Sequence, residues 1–192
     1  LMLPPGLSFN AVSDKALALQ EVRKALADQL KRTDTGPAAW TSIGRLEMAG
    51  NRITPALDAA AQGMQLDPAS PFPALLAVEL LERGQTQAEA MVHRHLAALA
   101  PATHSPVRLA YARLLLDLQR HGEAREQLDL IIANRPTLAE PWLLLGSLQL
   151  QANADTDAAA SLERYLQLAQ SAPHGQNAPG VTQAYLMMAP LA

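Results

Sequence analysis

The chain has 192 residues, 49% of them apolar, with a formal charge of −3 and no cysteine. A pI near 5.9 leaves no basic footprint for nucleic acid, and the missing cysteines exclude disulfides, thiol catalysis and thiolate metal sites. Only 4% of residues are aromatic, Ala and Leu dominate, and β-branched residues are scarce, which favours helices over strands.

Residues 1–12 read as an extended leader; "LMLPPGLSFN" lacks the basic and long apolar regions of a signal peptide. A first residue of Leu suggests a chain cut from something longer. No apolar run reaches the roughly 18 residues of a membrane span, so direct membrane insertion is not expected. Residues 13–36 carry an amphipathic helix, with Ala16, Leu19, Val22, Leu26 and Leu30 on one face, as a cap or half repeat.

From residue 37 the chain repeats itself. "PAAWTSIGRLEM" and "EPWLLLGSLQL" place Trp40, Ile43 and Gly44 in the same frame as Trp142, Leu145 and Gly146, 102 residues or three periods of 34 later. The frames 37–70, 71–104, 105–138 and 139–172 align Ala56, Ala90, Ala124 and Ala158 at position 20. Position 8 holds Gly44, Val78, Ala112 and Gly146, position 7 holds Ile43, Ala77, Tyr111 and Leu145, and position 10 is leucine throughout. Each frame reads as two helices, with Pro68, Pro101, Pro136 and the displaced Pro173 near the frame ends. Ser70-Pro71, Ser105-Pro106 and Thr54-Pro55 read as helix starts, and Gly50, Gly84 and Gly122 as the turns inside repeats. Small side chains at positions 8 and 20 let paired helices approach, so Trp40, Gly44, Ala56, Tyr111, Ala124, Trp142, Gly146 and Ala158 are expected in the core. A buried Trp142 would make Trp142→Ala cost about 3–5 kcal/mol. After residue 172 come a loop insertion, 173–181, and a truncated first helix, 182–192, with Tyr185, Met188 and Ala189 at positions 4, 7 and 8.

Chemistry-bearing motifs are sparse. His93 and His95 stand two apart, which on a helix points them away from each other and not at one metal. "NADTD", Asn153 to Asp157, opens like a calcium loop, but Ala158 and Arg164 stand where Gly and Glu are wanted, so its acids read as helix caps. Nucleophile-elbow, phosphate-loop and zinc-helix motifs are missing. No enzyme activity, metal or cofactor is expected.

The 34-residue period, the W-x2-L-G frame, the small residue at position 20 and the late proline resemble the tetratricopeptide repeat (TPR), although none of the frames has that family's tyrosine at position 11. The resemblance implies an all-α, right-handed superhelix of antiparallel helix pairs whose first helices line a concave groove. Carried over, position 5 gives Thr41, Leu75, Leu109 and Leu143, and position 9 gives Arg45, Glu79, Arg113 and Ser147. Position 12 gives Met48, Glu82, Leu116 and Leu150; position 13 gives Arg83 and Asp117 beside Ala49 and Gln151. The implied partner is an extended or helical protein segment that meets the leucine track, Leu143 foremost. The alternative is that these leucines pack against neighbouring helices or against the chain's own terminal helix. Of the places that grip a C-terminal carboxylate in some members, only Arg45 is cationic, so that clamp is not expected. Stretches such as "SPVRLAYARLLLDLQRHGEAREQLDLIIANRP" are similar to long proteobacterial TPR proteins of the periplasm, often lipid-anchored at the outer membrane. That likeness implies an envelope scaffold or adaptor that assembles a protease or another complex. A periplasmic holder of unfolded apocytochrome-type clients and a self-association module making homo-oligomers are the other readings.

Overall fold

The computed structural model describes residues 36–100, 103, 106–171 and 179–191, and single helical positions between 17 and 25. The leader, most of the 13–36 helix and most of the 173–181 connection lie outside the described residues. Two compact units divide the chain, Leu1–Ala98 and Leu99–Ala192. Every described regular element is helical.

The first unit contains α1 (Pro37–Ala49), α2 (Ile53–Leu66), α3 (Pro71–Glu82) and α4 (Glu89–Ala98), the last entered through a 3-10 turn at Thr86–Ala88. The second contains α5 (Pro106–Asp117), α6 (His121–Asn134), α7 (Ala139–Gln151), α8 (Asp155–Gln170) and α9 (Pro179–Met188). Consecutive helices pair as α1 with α2, α3 with α4, α5 with α6, and α7 with α8.

The turn inside each pair has one recurring geometry. A single residue takes left-handed φ, at Asn51 (55°), Gly84 (82°), Gln119 (60°) and Asn153 (55°). The next N–H then reaches back to a carbonyl near the end of the first helix: Arg52 to Glu47 at 2.9 Å, Gln85 to Leu80 at 3.0 Å, Arg120 to Leu115 at 2.8 Å, and Ala154 to Gln149 at 2.9 Å. These bonds satisfy carbonyls that a helix end would leave orphaned. Asparagine tolerates the left-handed region, and only Gly84 among the expected turn glycines uses its freedom there. Gly50 has φ −81°, and Gly122 lies in the first turn of α6.

Helix starts differ from expectation in a similar way. Ser70 does precede Pro71 at the start of α3, but its side chain makes no cap bond. α2 begins at Ile53, so Thr54 and Pro55 fall inside its first turn. α8 begins at Asp155 after Ala154, which puts Asp155 and Asp157 within the first turn, where the helix dipole favours acids. α9 begins at Pro179, three residues before the expected boundary of 182.

The second repeat departs from the 34-residue frame. Its left-handed residue stands one place early, and the buried alanine opening its second helix is Ala88, not Ala90, which is exposed. Ala88 follows Ala56 by 32 residues and precedes Ala124 by 36, so the period is restored only beyond α4. The 3-10 turn at Thr86–Ala88 is where the chain tightens. In α3 the fully buried side chains are Pro73, Leu76 and Leu80, with Ala74 and Ala77 between them.

Cores form where small residues let helices touch. A Cβ added at Gly44 would collide with the Leu76 side chain and approach the Ala56 carbonyl to 3.3 Å. One at Gly146 would lie 2.8 Å from both Cγ and Cδ2 of Leu162. Gly63, which the repeat columns do not single out, is just as tight: an added Cβ would lie 2.9 Å from the Pro73 ring and 3.3 Å from the Pro37 carbonyl. One turn beyond Val92, His95 is buried, with Nδ1 2.9 Å from the Pro68 carbonyl, while His93 faces solvent near Glu89.

Candidate partner-binding surface

The eight residues expected in the core divide into two groups. Ala56, Ala124, Ala158 and Tyr111 are buried, as are Gly44 and Gly146. Trp40 and Trp142 are only half-buried. Trp142 rests on the edge of a cluster of Leu143, Leu162, Tyr165, Leu166, Ala169, Val181 and Ala184, and its indole N–H donates to the Pro136 carbonyl at 3.0 Å. A tryptophan with one wet edge keeps that polar partner and forgoes full burial.

The position-5 track is not a continuous accessible stripe. Leu143 is buried beneath α9, where a Cβ on Gly180 would come within 2.9 Å of its Cδ2. Leu150 packs against the same cluster, together with Met187 and Met188. Thr41 is 2% exposed and its hydroxyl donates to the Pro37 carbonyl at 3.0 Å; Met48 is buried too. Leu75, Leu109 and Leu116 are half-buried along the first helices. For Leu143 and Leu150, packing against the terminal helix is therefore what the structure shows.

The polar residues of the first helices tie neighbouring repeats together. Arg45 of α1 grips Glu79 of α3 with Nε at 3.1 and 3.2 Å and Nη2 at 2.6 Å from its carboxylate oxygens. The bond to Glu79 raises the Arg45 pKa above its ordinary value. Arg83 donates from Nη1 to the Met48 carbonyl at 3.2 Å, which satisfies the end of α1 and places a cation at the negative pole of its dipole. Arg113 of α5 binds Glu140 of α7, Nε to Oε1 at 2.6 Å. Glu82 and Asp117 are exposed, and Ser147 is half-buried.

Two accessible faces result, one in each unit. On α3 the i, i+3, i+7, i+10 row is Phe72, Leu75, Glu79 and Glu82, with Phe72, at position 2 of its repeat, half exposed. On the second unit, Leu109 and Leu116 of α5 are half-buried one turn to either side of exposed Arg113, which is bridged to Glu140 of α7. Among the described residues no group of three or more His, Cys, Asp or Glu is placed to hold a metal, and no helix is long and apolar enough to cross a membrane.

These helix pairs, their recurring left-handed turns and their small-residue contacts define an all-α solenoid of the tetratricopeptide type. Solved structures are similar along most of the chain. "Crystal structure of MamA" matches 85% of this chain and 97% of its own, at a TM-score of 0.61 and 14% identity. YrrB, described as a TPR protein with an unusual peptide-binding site, matches 88% and 84% respectively, with a TM-score of 0.57 and 13% identity. Acl4, an assembly chaperone of RpL4, matches 96% and 85%, with a TM-score of 0.57 and 15% identity. At these identities the likeness is one of fold. No protein-family model and no curated protein matches the chain by sequence.

Proposed function

We propose that the chain is a non-catalytic protein-binding scaffold that takes a partner segment along the accessible faces of its first helices. The observation that carries this reading is the α5–α7 face, where half-buried Leu109 and Leu116 flank a cation already fixed by Glu140. Half-buried leucines framed by fixed charges suit an amphipathic or extended segment, with apolar contacts for affinity and bridged charges for orientation. An adaptor role in the cell envelope, as part of a longer protein, extends this proposal and rests on the sequence resemblance alone.

The test compares partner capture by the wild-type protein, by Leu116→Asp, and by Leu130→Asp, which alters an exposed leucine of α6. Circular dichroism and melting temperature first establish that each variant folds. Loss of capture with Leu116→Asp and retention with Leu130→Asp is expected; equal capture by both refutes the surface. Self-association is the second reading, favoured by Tyr185 and Leu186 of α9, exposed at 53% and 71%. A mass that rises with protein concentration, and falls in Leu186→Asp, would favour it.

A further inference from the structure

A cleft of about 210 Å³ opens where the start of α6 meets the α7–α8 turn, all within the second unit. Its apolar lining is Gly122, Leu148, Ala152 and Ala154, and its polar lining is His121, Arg125, Gln149 and Gln151. Gln149 is 8% exposed, and its Oε1 is buried without a hydrogen-bond partner. A buried acceptor left unpaired is costly, so its setting calls for an explanation.

The first repeat supplies one. Glu47 and Arg52 occupy the places that Gln149 and Ala154 occupy in the fourth, and the backbones agree: left-handed φ is 55° at both Asn51 and Asn153. The bond closing the turn is 2.9 Å in both, Arg52 to Glu47 and Ala154 to Gln149. In the first repeat the Arg52 guanidinium lies against the buried Glu47 carboxylate, so a long donor side chain from the turn meets the buried acceptor. In the fourth repeat that side chain is cut back to a methyl group, and both Ala154 and Gln149 line the cleft.

We infer that this cleft is a socket for a carboxamide side chain, a glutamine of a partner protein, inserted where the first repeat uses its own Arg52. Gln149 is neutral where Glu47 is charged, so no cation is needed to balance it. Arg125, the one Lys or Arg side chain of the lining, is already paired with Asp129 at 3.6 Å. A carboxamide donates to Gln149 Oε1 and offers its own carbonyl to the Gln149 amide or to the start of α6, where no side chain caps the helix. The volume also fits: a cavity of about 150 Å³ takes a benzene ring, so this cleft has room for a glutamine head and its stem.

The socket presupposes a protein partner but lies apart from the first-helix face, so the two readings fail separately. The probe is a capped pentapeptide, Ala-Ala-Gln-Ala-Ala, titrated into 15N-labelled full chain against peptides with Glu, Lys or Leu at the centre. Shifts at the Gln149 side-chain amide, Gly122 and Ala152 are expected, with the glutamine peptide about tenfold tighter than the others, because an analogue that cannot pair leaves the acceptor orphaned. Gln149→Leu installs the residue type of Leu80 and Leu115 at the same turn, so it should fold and lose the preference. Ala154→Arg should plug the cleft and abolish the shifts, while Leu116→Asp leaves them unchanged. No shift at these residues with any peptide, equal affinity for the leucine or lysine peptide, or unchanged glutamine binding by Gln149→Leu each overturns the socket.

Discussion

Gly146→Ala should destabilise the protein even though alanine is the better helix former. In an unobstructed helix interior the exchange gains up to about 1 kcal/mol from reduced backbone entropy and higher propensity. At Gly146 the new methyl would sit 2.8 Å from both Cγ and Cδ2 of Leu162 and 3.5 Å from the Ala158 carbonyl. Leu162 is fully buried, and because Cγ is the branch atom, relief requires moving the whole isobutyl group. Overpacking of this kind costs roughly 1–3 kcal/mol, so the net loss should be about 1 kcal/mol and at most about 2. Gly122 in α6 is the internal control: an added Cβ meets nothing within 4 Å, and Gly122→Ala should gain roughly 0.5–1 kcal/mol. Urea unfolding followed by far-UV circular dichroism, with unchanged m-values, measures both. A double-mutant cycle assigns the cause. Leu162→Ala should cost less in the Gly146→Ala background than in the wild type, by about 1 kcal/mol, because it removes the colliding atoms. A Gly146→Ala protein as stable as the wild type would refute the close approach of α7 and α8.

Trp142→Ala should cost about 2 kcal/mol, below the 3–5 kcal/mol of a fully buried aromatic, since the ring is only partly buried; the same unfolding assay checks it. Tyr165 titrates above 10, because burial and then the Glu140 charge disfavour its phenolate. The folded state therefore holds that proton more tightly than the unfolded one: the stability is fully present below about pH 10 and is lost as pH rises through the folded value. Stability measured between about pH 9 and 11 should fall less steeply in Tyr165→Phe. The Arg45–Glu79 bridge, with side chains 50% and 34% exposed, should show a coupling of about 0.5 kcal/mol that shrinks in high salt, despite its two-pronged geometry.

The helix pairs were legible in the sequence because the repeats impose columns that local packing must obey. Gly44, Ala56, Gly146 and Ala158 stand where two helix axes approach, and only small side chains fit there. The slip in the second repeat was not legible, because two opposite departures cancel: Ala88 falls 32 residues after Ala56 and 36 before Ala124, so a fixed frame of 34 still finds an alanine, Ala90, at the wrong place. Turn glycines misled for a related reason, since the left-handed position is held by Asn51, Gln119 and Asn153 in three repeats of four. For the candidate surface, residue type at a column identified what a first helix offers to its inner side. It carried no information on what covers that side. Leu109 and Leu143 share a column, yet one is half-buried and the other lies under α9.

That difference moves the expected binding surface. Among the described residues the second unit has one more α-helix than two pairs require, and α9 sets Val181 and Ala184 into the cluster that contains Leu143. An aspartate in place of Leu143 would therefore put an unpaired charge in a packed core, and loss of binding in such a variant would report unfolding. Leu116 and Leu109 are half-buried and Arg113 is exposed, and Arg113 is already oriented by Glu140. Specific contact with a partner is better served by side chains that are fixed yet reachable, since less freedom is lost on binding. The α5–α7 face meets that condition, and the tryptophan-bearing stretch, from which Leu143 stood out in the sequence, serves chiefly to hold α7, α8 and α9 together.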